Sequence, residues 1–389
     1  MTQDTSFLNG LRAFAAYWVL TAHCMIWGGW WTDVPFPAPK IAVDVFMVLS
    51  GFLMAYTVSA RSDKEPMTLR WNWMRFYVRR YFRLAPAYYL SLALAVLLAG
   101  EYLTGYAQLR ALNPTAWQGD WVYDPMRTQY TFGNILLHLS FLFGLFPTYS
   151  FSTFLPDWSL SLEMQFYIAF PIIYVAMRRF GAARIAVALA VLSYLLKWGI
   201  DKAVGAGLMS FYYEPSLLFF RLPIFLAGAL VFEATRPGLS RLRQAVYVAL
   251  ALAFCFKMVD IYKIQVFWLV VPTALMAVFV LPCAALASKL QWLSKLCRSR
   301  LVTFLSDVSY PVYLFHGFFL AIVGSRIGHA AKAAGYSLAV GTVGIWLAVV
   351  VLTTGFAYLV YRLVELPGIR AGARILAQTP KALASGQTN

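Results

Sequence analysis

Apolar residues run in long stretches, flanked by aromatic positions, at about 7–27, 41–60, 85–103, 158–177, 184–200, 216–234, 245–262, 264–287, 302–324 and 338–361. Roughly 20 helical residues, at about 1.5 Å each, cross the ~30 Å hydrocarbon core of a bilayer. The pattern therefore predicts an all-α polytopic membrane protein with about ten transmembrane helices. An eleventh apolar piece, 133–148, is shorter, holds His138 and ends at Pro147. Its length leaves a full span, a re-entrant piece or an interfacial helix open.

The basic residues choose among these. With ten spans and a cytoplasmic N-terminus, the clusters Arg61 to Arg83, Arg178 to Arg184, Arg236 to Arg243, Lys289 to Arg300 and Arg362 to Lys381 all fall inside. Cytoplasmic loops carry such an excess of Lys and Arg. Counting 133–148 as a crossing would put three of these clusters outside, so the segment is expected not to span. Both termini are then expected in the cytoplasm of an integral inner-membrane protein. The polar stretch 104–132 falls on the opposite side, where a loop of that length suggests a lid or an acceptor-facing surface. No basic region precedes the first stretch and Arg12 lies within it, so it is expected to stay as a span rather than leave as a signal peptide. No repeat is visible, and one membrane domain, 1–366, with a short cytoplasmic tail, 367–389, is the expected organisation.

Composition agrees: of 389 residues, 61% are hydrophobic and 12% charged, with a formal net charge of +16. In a soluble protein that charge would point to nucleic acid. Here it collects in short loops between apolar stretches, which excludes nucleic acid as a partner and points to membrane lipid. Cys24, Cys255, Cys283 and Cys297 are scattered, with neither metal-ligand spacing nor a disulfide pattern, and no metal is expected.

Polar residues inside such stretches are costly and mark sites. Arg12 and His23 lie on one helix eleven residues apart, which puts them on one face and roughly 16 Å apart along the axis. Asp44 lies near the outer end of the second stretch, at a depth where it would meet His23 on an antiparallel neighbour. Glu163 in Trp158-Ser159-Leu160-Ser161-Leu162-Glu163, Arg221 in Phe219-Phe220-Arg221-Leu222-Pro223 and His316 after Ser309-Tyr310-Pro311 fall at similar depth. A carboxylate on one imidazole nitrogen would fix the His23 tautomer and make the other nitrogen a better base; Asp44 and Glu163 both qualify. On the inner side, Arg80 and Arg83 stand one turn apart in a basic, aromatic-rich segment. Such a segment lies against anionic lipid or clamps phosphates with its guanidinium forks.

These residues resemble the acyltransferase-3 family of membrane O-acyltransferases over about 7–365. The resemblance rests on the Arg12-x10-His23 pair, the Val43-Asp44-Val45-Phe46 to Leu49-Ser50-Gly51-Phe52 segment, and Arg80-x-x-Arg83-x-x-Pro86. Trp158-Ser159-Leu160 with Glu163, Arg221-Leu222-Pro223, and Ser309-Tyr310-Pro311 to His316 complete it. It implies transfer of an acyl group, usually acetyl, from cytoplasmic acyl-CoA to a hydroxyl of a cell-surface or secreted glycan. It implies His23 as the catalytic histidine and Arg12, Arg80 and Arg83 as donor contacts, with acyl-CoA as co-substrate and no bound cofactor. Asp44 and Glu163 are the candidates to orient His23, and Arg221, Tyr310 and His316 are candidate acceptor or oxyanion contacts. Members often carry a fused hydrolase-like domain. None is read in this chain, so the membrane domain is expected to finish the transfer or pass the acyl group to a partner. The competing reading is a glycolipid transporter or flippase with a His23/Asp44 proton relay; no inverted repeat or paired broken helices favour it.

Overall fold

The computed structural model describes residues 6–30, 38–114, 130–208, 216–257, 263–281 and 289–378. Cys283 and most of 104–132 lie outside them.

Helix α1 (Ser6–Gly28) occupies the middle of the bundle and packs against α2 (Pro39–Ser59) and several helices from the far end of the chain. Fully buried Ala15, Ala16 and Ala22 let those neighbours approach closely, because small residues bring helix backbones together where lipid supplies no hydrophobic drive. Among the most extensive helix contacts is that of α2 with a helix formed by Leu218–Ala234. There Gly51 and Gly228 face each other's backbones: a Cβ built on Gly51 would sit 1.8 Å from the Phe225 carbonyl oxygen, and one on Gly228 1.8 Å from that of Val48.

The expected span 85–103 takes a different form. Helix α3 (Arg70–Leu97) already contains the basic segment, and it bends by 78° at Leu98 into α4 (Ala99–Leu112). The first part of the polar stretch is thus helical. Its buried Tyr102, Gly105, Tyr106 and Leu109 form one face against the core, a helical spacing hidden by the polar residues between them. Segment 133–148 forms α5 (Phe132–Leu139), only eight residues long, followed by a 3-10 turn at Phe143–Leu145. Eight residues rise about 12 Å, far short of a crossing.

Next come α6 (Trp158–Phe180), α7 (Ala182–Gly205), α8 (Leu218–Ala234), α9 (Arg241–Lys257) and α10 (Lys263–Val280). The short α11 (Gln291–Cys297) and α12 (Arg300–Asp307) precede α13 (Ser309–Phe319), which runs through a π-turn (Leu320–Gly324) into α14 (Ser325–Ala333). Helix α15 (Leu338–Val360) continues through a second π-turn (Tyr361–Glu365) into α16 (Leu366–Gln378), which packs on α3. The expected tail therefore begins as a docked helix.

Among the described residues, five helices combine the length and apolarity of a crossing, or six if the bent α3–α4 pair counts as one. The sequence predicts ten. Helices α8 and α9 run for only 17 residues each, about 25 Å. Helix α10 is apolar over Phe267–Val280, and α1, though 23 residues long, is diluted by Asn9, Arg12, Thr21 and His23.

Candidate functional site

A cavity with about 840 Å³ of unfilled space, its open mouth included, lies between α1, α2, α3, α6, α8 and α13. Its polar lining includes Arg12, Arg80, Arg83, Glu163, Tyr167 and Tyr310; the rest is mainly apolar, with Phe46, Met47 and Phe225 among it. Three helices, α1, α3 and α6, thus deliver Arg12, Arg80, Arg83 and Glu163 to one space.

Each charge in that space has a different state of engagement. Glu163 accepts hydrogen bonds from Ser50 Oγ at 3.0 Å and from the Tyr167 hydroxyl. Arg83 pairs with Glu365, a fully buried residue that ends the second π-turn. Insertion of one residue into a helix turns the side chains beyond it to a new face, which is why such turns recur at functional sites. Arg80 packs under aromatic rings, its guanidinium carbon 5.5 Å from the Phe76 centroid and 5.8 Å from that of Tyr167. Its buried Nε has no hydrogen-bond partner. Arg12 lines the cavity with neither a hydrogen bond nor an ion pair among the described residues. Three guanidinium groups therefore face two carboxylates, and the cavity is set to take an anion.

Toward the other end of α1, His23 Nδ1 lies 2.8 Å from His316 Nε2, with the rings 5.0 Å apart and nearly parallel at 12°. His316 Nδ1 lies 2.8 Å from the Tyr313 carbonyl oxygen. A carbonyl can only accept, so in a neutral ring His316 Nδ1 carries the proton and Nε2 the lone pair. His23 Nδ1 must then donate to His316, which leaves the lone pair of His23 on Nε2. The tautomers follow from the hydrogen-bond chain alone.

The sequence leaves Asp44 and Glu163 as candidates to orient His23; the structure pairs His23 with His316 instead. Asp44 is engaged by Arg221 at 3.3 Å, a buried pair joining α2 to α8. Glu163 meets Ser50, six residues beyond Asp44 on α2, and so sits about 9 Å nearer the Arg12 end. The five polar groups expected at one depth form three separate sets. Tyr310, a candidate oxyanion contact, lines the cavity but donates its hydroxyl proton to the Leu84 carbonyl at 2.9 Å. Nor do Arg12 and His23 share one open passage. The cavity lining ends at Tyr313, three residues before His316 on the same helix. The Tyr313 hydroxyl donates to the Pro156 carbonyl and accepts from Ser159 Oγ at 2.8 Å, which fixes the turn whose carbonyl holds His316.

Two groups escaped the sequence. Glu365 stands in the Glu365-Leu366-Pro367 run read as the end of the domain, and no sequence spacing links it to Arg83. Asp157 accepts from Tyr88 at 3.1 Å and Thr153 at 3.0 Å, with His138 Nε2 at 3.5 Å. This buried cluster pins the α5 segment to the start of α6. A buried Asp immediately before Trp158-Ser159 was its one visible sign.

Comparisons with known proteins point to one family. The acyltransferase-3 family model, described as an acyltransferase domain, matches residues 5–362. The Bacillus subtilis protein named "Putative peptidoglycan O-acetyltransferase YrhL" is 27% identical over 332 residues, covering 79% of this chain and 47% of that protein. "Acyltransferase MdmB" of Streptomyces mycarofaciens is 26% identical over 390 residues, 93% of this chain and 91% of that one. "Putative O-acetyltransferase SACOL0978" of Staphylococcus aureus is 23% identical over 399 residues, 96% of this chain and 58% of that one. The chain thus spans about half the length of the first of these relatives. No solved structure matches it.

Proposed function

We propose that this chain, which belongs to the acyltransferase-3 family and is an acyltransferase, transfers an acyl group, in the first instance acetyl, from acyl-CoA to a hydroxyl of a cell-surface or secreted glycan. It does so as a multi-pass protein of the inner membrane, with both termini and the arginine end of the cavity on the cytoplasmic side. The observation that carries this reading is the coexistence, along α1, of the Arg12 guanidinium, without a hydrogen bond or ion pair among the described residues, at one end and a base-ready imidazole at the other. The Bacillus relative's printed name, "Putative peptidoglycan O-acetyltransferase YrhL", supports a glycan acceptor, and the Staphylococcus relative's, "Putative O-acetyltransferase SACOL0978", supports acetyl transfer to oxygen.

Arg12, Arg80 and Arg83 hold the phosphates of the donor, and binding energy gained there positions the thioester far from the charges. Phe46 and Tyr313, whose ring centroids lie 6.2 Å apart, close the cavity toward His23, so these rings have to part for the arm to bring the thioester to His23. The acceptor hydroxyl gives its proton to His23 Nε2 as its oxygen attacks the thioester carbonyl carbon. The carbon–sulfur bond then breaks, and the CoA thiolate takes the proton back from His23. While His23 is cationic, its Nδ1 proton stays on His23 and the existing hydrogen bond to the His316 lone pair strengthens, with the Tyr313 carbonyl anchoring that acceptor.

The test is release of free CoA thiol by the purified protein in lipid nanodiscs, given acetyl-CoA and a glycan. Wild type should release thiol in step with acceptor acylation. His23→Ala should cut turnover by about 10²-fold or more, the range of general-base catalysis. Wild-type turnover in a correctly inserted His23→Ala protein overturns the assignment.

A further inference from the structure

A second groove opens beside the cavity, lined by Arg300, Phe304, Asp307, Tyr358, Tyr361 and Arg362. The two are joined by one element. Tyr361 and Arg362 begin the π-turn whose last residue, Glu365, pairs with Arg83. Four residues separate Tyr361 from Glu365, about 6 Å along the axis, so a ligand gripped at Arg83 has this groove as its neighbour.

The chemistry of the groove is mixed in a telling way. Arg300 and Arg362 are exposed and, among the described residues, engaged by no hydrogen bond or ion pair. Arg298 at its rim is also exposed, and its Nε donates to Ser6 Oγ at 3.4 Å. The Phe304 and Tyr358 rings stand 5.8 Å apart, and Tyr358 is 41% exposed. Guanidinium groups take phosphate oxygens, aromatic faces stack on a base, and a carboxylate such as Asp307 accepts from sugar hydroxyls or an exocyclic amine. A lipid headgroup phosphate would use the arginines alone.

We propose that this groove binds the phosphorylated nucleoside end of the donor, with Arg300 and Arg362 on its ribose phosphate, while Arg80 and Arg83 hold the phosphates nearer the acyl arm. The assignment rests on the acyl-CoA reading above and names the part of the donor that the cavity does not hold. Recognition of the ribose phosphate here makes the protein select CoA esters over thioesters that lack it.

The test is equilibrium binding of CoA and dephospho-CoA to the purified full chain in phosphatidylcholine nanodiscs. CoA should bind about tenfold or more tightly than dephospho-CoA, and Arg300→Ala/Arg362→Ala should bind both at the weaker level. Equal binding of the two by wild type overturns the groove assignment alone; binding of neither overturns the donor reading beneath it. A double variant that keeps the preference, and departs from wild type only in discs containing phosphatidylglycerol, assigns these arginines to lipid and ends the proposal. Should the double variant fail to fold, competition on wild type decides. Adenosine 3′,5′-bisphosphate should displace CoA about tenfold better than adenosine 5′-monophosphate, and equal displacement overturns it.

Discussion

At the residue scale, an imidazole rather than a carboxylate stands behind His23. A neutral acceptor costs less to bury than a charge and leaves its partner neutral and ready to take a proton. In the proposed reaction His316 is thus a positioning residue. His316→Ala should lower kcat for acyl transfer by about 10-fold to 10²-fold with KM for acetyl-CoA unchanged, as expected for loss of an interaction made in the transition state. His316→Gln, which keeps an acceptor, should recover part of the loss, and the pH–rate profile should shift in the Ala variant. A loss that falls on KM instead contradicts this role. Arg80→Ala should do the reverse, raising KM for acetyl-CoA about tenfold with little change in kcat. The sequence pointed to His23, His316 and the arginines individually because buried polar residues stand out in apolar stretches. It could not pair them: depth along a helix is legible from residue counts, but rotation and tilt are not, and Asp44 turned toward Arg221 while Glu163 met Ser50.

At the element scale, the long apolar runs announced their helices, and the breaks within them were less visible. The bend at Leu98 and both π-turns fall where nothing in the local composition marks them. They depend on contacts with distant helices, such as Gly105 of α4, where an added Cβ would lie 2.1 Å from the Ala321 carbonyl oxygen. The α2–α8 contact is the firmest expression of this dependence. Since a Cβ on Gly51 would meet backbone 1.8 Å away, Gly51→Ala should destabilise the protein by about 1–3 kcal/mol through overpacking, read as a lower midpoint of thermal unfolding in detergent. Gly355→Ala is the control. Nothing lies within 4 Å of a Cβ there, and Ala is the better helix former by about 1 kcal/mol, so stability should hold or rise. Equal midpoints for Gly51→Ala and wild type would contradict the close approach.

At the scale of the whole molecule, contacts between remote parts of the chain hold the cavity together. Glu65, in the loop between α2 and α3, bonds Arg75 at 2.8 Å and also Arg79, and Arg75 reaches the Leu376 carbonyl of α16 at 3.4 Å. Burial pushes the Glu65 carboxyl up, but the hydrogen bonds and charges of Arg79 and Arg75 outweigh it and hold the group below the ordinary glutamate range. A depressed folded value means this latch is at full strength above the ordinary value and is lost as pH falls through the lowered one. Thermal stability should therefore drop on acidification through that window, and less steeply in Glu65→Gln. An unchanged slope would show that the latch carries no part of the acid response. The two pairings that complete the site span most of the chain: Arg83 and Glu365 are 282 positions apart, His23 and His316 293. During synthesis, neither the imidazole couple nor the carboxylate paired with Arg83 can exist until the last helices emerge. A ribosome that stops early releases a polypeptide holding the familiar opening motifs without the late-made groups that engage them.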